Sequence, residues 1–300
     1  SVPVASVSPA ADENGYHLTD PVTVDLSATD AGPSGVASIT YQVDGHEAVT
    51  VKGDAASVTV SGDGAHVVSY FATDTAGNVS QRGSQPVVID TTAPGVTVRQ
   101  AAGQDPTNAD TVQFTATFTE PVTGFTAADM TVSAAAAGAS VEVTGSGVEY
   151  LISVTGLTQD GAITVSVGAD AAFDAAGHGN TASTDATVTR DTTAPVVEIL
   201  SLTAADGAVT ASGRAGAGAG DGSTVMLMIC PGTGELGASE PSFPCTPSTV
   251  LTASVDGTTA EWSVTSDALA PGTYYVRAEQ QDTAGNTGVS GVLSAAIPQP

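Results

Sequence analysis

Carboxylates stand at matching places in two recurring phrases. The pentapeptide Asp-Thr-Thr-Ala-Pro opens at Asp90 and again at Asp191, 101 residues later, and an Asp-x-Ala-Gly phrase opens at Asp74, Asp174 and Asp282. Carboxylates brought close together are ligands for a hard cation such as Ca²⁺, which takes about six to eight oxygens from side chains, carbonyls and water. An Asp in a turn has another use, because its side chain accepts N–H groups of the residues that follow and caps the turn. No Asp-x-Asp-x-Asp-Gly run is present to favour the first use outright, so both stay open at this point.

Catalytic chemistry finds little footing. The four histidines, His17, His46, His66 and His178, lie in Gly/Asp-rich turns or at strand starts and read as surface residues, with no Gly-x-Ser-x-Gly or His-Glu-x-x-His nearby. Asp129 with Glu120 could imitate a glycosidase dyad, but carboxylates are so plentiful that such a pairing means little. The expectation is a chain that is not an enzyme.

The charge balance narrows the partners. There are 32 acidic and 6 basic residues, a formal charge of -26, which opposes nucleic-acid binding because neutralising phosphates takes clustered Lys and Arg. Hydrophobic residues nonetheless make up 41% of the chain and charged ones only 13%, so the chain should fold rather than behave as an acidic tail. No stretch nears the roughly 18 apolar residues of a membrane span.

The elements that must hold the carboxylates are strands. "TVQFTATF" alternates Val112, Phe114, Ala116 and Phe118 on one face; "YLISV" follows with Tyr150, Ile152 and Val154, then "AITVSV" with Ile163, Val165 and Val167. The first third shows the same alternation at Val22, Val24 and Leu26, and in the last third Trp262 is the best core anchor. Gly-rich turns separate six or seven such runs per third, the spacing of a β-sandwich, and no helix is evident. Each Asp-x-Ala-Gly phrase follows the penultimate strand of its third, where Gly and Asn supply the left-handed backbone of the last hairpin. Cys230 and Cys245 flank a Gly/Pro-rich loop without the companions of a metal or redox site, so a disulfide is expected, with two unrelated thiols as the alternative.

These residues carry a resemblance. "DAGPSGVASITYQVDG" and "GAHVVSYFATDTAGN" in the first third, "FTEPVTGFTAADMTVS" with "DAAGHGN" in the second, and "GTYYVRAEQQDTAGN" in the third are similar to tandem bacterial immunoglobulin-like domains of repetitive surface proteins and adhesins. The resemblance implies an all-β chain of three tandem antiparallel sandwiches in an extended array, divided at 1–92, 93–193 and 194–300. Proteins of this kind are often calcium-stabilised, and catalysis normally lies elsewhere.

In such a sandwich the loops after the second and penultimate strands share one end, and those before the second and penultimate strands share the other. Acidic loops of neighbouring units therefore meet at each pentapeptide. At the first, Asp90 should approach Asp174 and Glu120, with Asp63 and Asp12 or Glu13 from the preceding unit; at the second, Asp191 should approach Asp282 and Asp221, with Asp110 and Asp160 behind. Calcium as cofactor would turn like-charge repulsion, screened only beyond about 8 Å, into stiffness. Pro94 and Pro195 restrict the joint further.

The expected role is a non-catalytic spacer on the bacterial cell surface or outside it, joined to neighbouring immunoglobulin-like modules of a longer chain. Its outside partner would be a cell-surface or glycan ligand of open identity. The alternative is a carbohydrate-binding accessory region of a secreted polysaccharide-active enzyme. That reading needs exposed rings, for which Tyr16 and Phe243 are freer candidates than Trp262, Tyr274 and Tyr275.

Overall fold

A computed structural model describes residues 1–101, 103, 105–133, 138–232, 245 and 249–299. Buried side chains fall into three clusters, each drawn from one third of the chain. In the first third, strands β1 (Val4–Ser8), β2 (Val22–Ser27) and β5 (Ala55–Val60) form one antiparallel sheet. Facing it is the sheet of β4 (Val49–Lys52), β3 (Val36–Val43), β6 (Gly64–Asp74) and β7 (Gly83–Ile89), in that order.

The second third repeats the plan with six strands. β8 (Val96–Gln100), β9 (Thr111–Val122) and β11 (Ser140–Thr155) pair as one sheet, and β10 (Met130–Val132), β12 (Gly161–Val167) and β13 (Ala186–Arg190) as the other. In the last third, β14 (Glu198–Ala205), β15 (Ala208–Arg214) and β18 (Glu261–Thr265) oppose a larger sheet. That sheet holds β17 (Thr249–Ser254), β16 (Asp221–Pro231) and β19 (Gly272–Asp282), with β20 (Thr287–Val289) and β21 (Leu293–Ile297) both paired to β19. Helix is confined, among the described residues, to one 3₁₀ turn at Ala127–Asp129.

Period-2 alternation accounts for the cores. Val112, Phe114, Ala116 and Phe118 of β9 are all buried, as are Tyr150, Ile152 and Val154 of β11 and Ile163, Val165 and Val167 of β12. Because side chains alternate across a strand, one face of each packs inward while the intervening Thr, Ser and Gln meet water. Phe118, Phe125 and Tyr150 meet edge to face with centroids 5.1 to 5.7 Å apart, and the Tyr150 hydroxyl donates to the Val122 carbonyl at 3.0 Å. This trio braces the end of β9 that carries Glu120.

Cys230 and Cys245 are joined in a disulfide with Cα atoms 5.9 Å apart, so the thiol alternative is excluded. Most of the loop between them, Phe243 included, lies outside the described residues. Trp262 is buried in the last cluster as the sequence indicates, and Tyr274 and Tyr275 are half-buried. One expectation is corrected: His17 is only 4% exposed, not a surface residue. Its ring Nδ1 pairs with the Pro9 carbonyl at 3.0 Å, and its backbone bridges Ile89 at the end of β7.

Since the three clusters share no side chains, damage to one should stay local. Phe114→Ala is expected to cost the middle core about 3 to 5 kcal/mol, seen in calorimetry as a downward shift of one unfolding component with the rest unmoved.

Candidate metal centre

Each pentapeptide leaves the last strand of one third and is fixed by the same three devices. The Asp90 amide donates to the His17 carbonyl at 3.0 Å, and the Asp191 amide to the Thr107 carbonyl at 2.9 Å. Each Asp carboxylate caps its own turn, Oδ1 of Asp90 accepting from the Thr92 amide at 3.2 Å and Oδ1 of Asp191 from the Thr193 amide at 2.9 Å. The third device explains the paired threonines. Asp63 accepts from the Thr91 amide and hydroxyl and the Thr92 hydroxyl at 3.1, 2.9 and 2.6 Å. Asp160 does the same for Thr192 and Thr193 at 3.0, 2.8 and 3.1 Å.

Both clamping carboxyls sit below the usual carboxylate range. For Asp63 the largest cause is the Thr92 hydroxyl, and for Asp160 the Thr192 hydroxyl; each donor stabilises the charged form.

The Asp-x-Ala-Gly turns share one geometry. Asp74, Asp174 and Asp282 each accept through Oδ1, at 2.8 Å, from the backbone amide four residues on. Oδ2 takes the side chain of that same residue: Asn78 Nδ2 and Asn286 Nδ2 at 2.8 Å, and His178 Nδ1 at 3.1 Å. The preceding glycines, Gly77, Gly177 and Gly285, have φ near 90°, a region that a side chain would strain. Turn capping is thus present at every one of these aspartates.

Cation chemistry is a separate matter, and here the two linkers part. At the first, Asp90, the buried Asp174 and His178 each place a ligand atom within 4.8 Å of the others, the one such group of three among the described residues. Glu120 belongs to the same environment: burial pushes its carboxyl up, and the charges of Asp90 and Asp174 push it further, against the opposing pull of His178. Asp90 and Asp174 therefore lie together with His178, while Glu120 feels their charges without belonging to that group of three. The close donors are two carboxylates and an imidazole whose Nδ1 is engaged on Asp174 Oδ2 at 3.1 Å, so the oxygens a hard cation needs would come from Asp90 and Asp174. His178 was missed in the sequence because it was read as a surface histidine, yet it occupies the position of Asn78 and Asn286 in its repeat.

At the second linker the same residue types have other partners. Asp110 and Asp160, expected to serve a cation, are held by the guanidinium of Arg190 at 2.9 and 3.2 Å. The Asp191 carboxylate caps Thr193, while its carbonyl accepts from Asn286 Nδ2 at 2.9 Å; Asp282 is occupied by Asn286. Asp221 lies opposite Asp282 in the β16–β19 register and accepts from the Gly218 amide at 2.7 Å. Asp12 accepts from the Asn14 and Tyr16 amides within its own turn.

Paired antiparallel sheets with this strand order, joined end to end through acidic turns, define an immunoglobulin-like β-sandwich class of protein. Residues 90–190 match the family model described as a bacterial Ig-like domain. Two solved structures are similar at low identity. One comes from work on host cell surface retention of a 1.5-MDa bacterial ice-binding adhesin, with 21% identity over 99% of this chain and 98% of that chain and a TM-score of 0.37. The other is of fibronectin(III)-like modules of Clostridium thermocellum CbhA, with 18% identity over 63% and 94% and a TM-score of 0.25. No curated protein matches the chain.

The raised carboxyl gives a prediction with a definite sign. A carboxyl whose folded pKa lies above its unfolded value binds its proton more tightly when folded, so stability falls as pH rises through that range. Glu120→Gln is therefore expected to raise the melting temperature at pH 7 in chelator, with the gain shrinking as pH falls through the raised folded pKa and gone below about 4. An unchanged or lowered melting temperature at pH 7 would contradict the reading of Glu120.

Proposed function

We propose that the chain is a non-catalytic spacer segment of a bacterial surface or secreted protein, and that calcium stiffens its first linker. The observation that carries the calcium reading is the approach of Asp90, Asp174 and His178, with a ligand atom of each within 4.8 Å of the others, at a linker already pinned on its other side by Asp63. A cation shared between the linker and the turn after β12 would fix the direction in which the middle third leaves the first. Carbonyls and water would complete the shell, and extracellular modules commonly hold such ions at around 10⁻⁴ to 10⁻³ M.

Several features support an extracellular setting. The middle third matches a bacterial Ig-like family model, a disulfide closes the loop after β16, and the chain is strongly acidic. Disulfides persist mainly outside the reducing cytosol. No helix among the described residues is long and apolar enough to cross a membrane. Further modules of the same kind are the natural neighbours of such a segment, and an adhesive partner would be a cell-surface or glycan ligand.

Melting the full chain with excess calcium and then with EDTA tests this reading. Calcium at 100 times its dissociation constant should stabilise the folded state by about 2.7 kcal/mol. Asp90→Asn and Asp174→Asn should each abolish most of that gain, and the double variant should lose little more, because both serve one ion. A wild-type melting curve indifferent to calcium would remove the ion from the account.

A further inference from the structure

We propose that His66 is a pH-sensitive latch on the first linker: its doubly protonated ring ties the β3–β4 turn to the loop that presents Asp63, and loss of one proton lets that loop go. The latch works without the ion proposed for the same linker.

Asp63 stands between Gly62 and Gly64, at φ of 96° and 132°, so its loop has little stiffness of its own. Yet its carboxylate must stay in place to accept from Thr91 and Thr92. Gly62 is held on both sides: its amide donates to Asp20 Oδ1 at 3.2 Å, and its carbonyl faces Nε2 of the half-buried His66 at 2.8 Å. The other ring nitrogen, Nδ1, lies 2.7 Å from Asp44 Oδ2, while Asp44 Oδ1 accepts from the Val67 amide at 2.7 Å. His66 thus bridges two segments that the strands alone leave apart.

Both ring nitrogens face acceptors. A backbone carbonyl only accepts, so Nε2 must carry a proton; an ionised carboxylate only accepts, so Nδ1 must carry the other. A neutral imidazole has one N–H and would set a lone pair against Gly62 or Asp44. The imidazolium satisfies both, and Asp44 first, then the Gly62 carbonyl, hold its pKa above the ordinary value, with Asp20 adding to them and burial opposing. Of the other titratable groups nearby, His46 and Glu47 share the turn of Asp44 and are exposed, and Asp63 is turned to the threonines. Across β7 the opposing residue is Val87, which cannot titrate.

Comparison among the three sandwiches shows that this is a choice of residue rather than of fold. Two residues after the glycine that opens the same strand, the middle third has Ile163 and the last has Tyr274. The Tyr274 hydroxyl donates at 2.9 Å to the Ala270 carbonyl, four residues back, as His66 does to Gly62. In the middle third the clamp Asp160 is held by Arg190 instead. Neither of those arrangements uses an imidazole.

NMR of the full chain in EDTA, from about pH 5 to 9, tests the latch. Because the folded pKa is raised, its contribution is complete below about 6.5 and is lost as pH rises through the raised value. Protection of the Thr91 amide, corrected for the intrinsic pH dependence of exchange, should fall on the order of fivefold at the midpoint of the His66 ring titration, while that of Thr192 at the second linker does not. Asp44→Asn should abolish the fall and keep Thr91 protected, since its Oδ1 still accepts from Val67 and its amide donates to an unprotonated Nδ1. His66→Phe should leave Thr91 weakly protected at every pH. Wild-type Thr91 protection that tracks Thr192 throughout would overturn the proposal. So would a fall at the same midpoint in Asp44→Asn, which would pass the effect to His178 beside the linker.

Discussion

Mutual repulsion of carboxylates at the linkers is the constraint on which the rest depends. An immunoglobulin-like sandwich gathers its loops at two ends, and this chain has placed Asp or Glu in nearly every loop that faces a linker. With 32 acidic residues against 6 basic ones, general screening cannot relieve a local convergence shorter than the screening length. Relief has to be local, and two kinds occur: threonine and backbone donors on Asp63 and Asp160, and a guanidinium on Asp110 and Asp160; a cation at Asp90 and Asp174, beside His178, is the third in the proposal made above.

The sandwiches make those devices rigid. Inward faces of β9, β11 and β12 fill the middle core, and the edge-to-face trio of Phe118, Phe125 and Tyr150 locks the end of β9 from which Glu120 projects. A carboxylate held on a strand cannot swing away from its neighbours as one on a free loop would. Burial first, and the charges of Asp90 and Asp174 next, push the Glu120 carboxyl up. Architecture therefore sets an electrostatic demand, and the residue types around each linker decide how it is met.

Much of this was readable in the chain itself because it follows from short periods and repeated phrases. Alternation placed Val112 to Phe118, Tyr150 to Val154 and Ile163 to Val167 correctly inward, and the repeated Asp-x-Ala-Gly located the turn before the last strand in each third. The approach of Asp174 to Asp90 follows from topology alone. Pairings chosen by geometry among many equivalent partners were not readable. Arg190 looks like one exposed base at a strand end, and only the fold shows it between Asp110 and Asp160. His17 was misjudged because its burial comes from a bridge to a strand more than seventy residues away. The role of His178 becomes visible only when its turn is laid beside the two that carry Asn.

Small-angle scattering of the full chain tests the central claim most directly, because stiffness at a linker is a statement about the distribution of distances across it. In calcium the distribution should be narrow with a long maximum dimension, and EDTA should broaden and shorten it, an effect absent from the Asp90→Asn, Asp174→Asn double variant. Superimposable curves in calcium and EDTA for the wild-type chain would contradict the account.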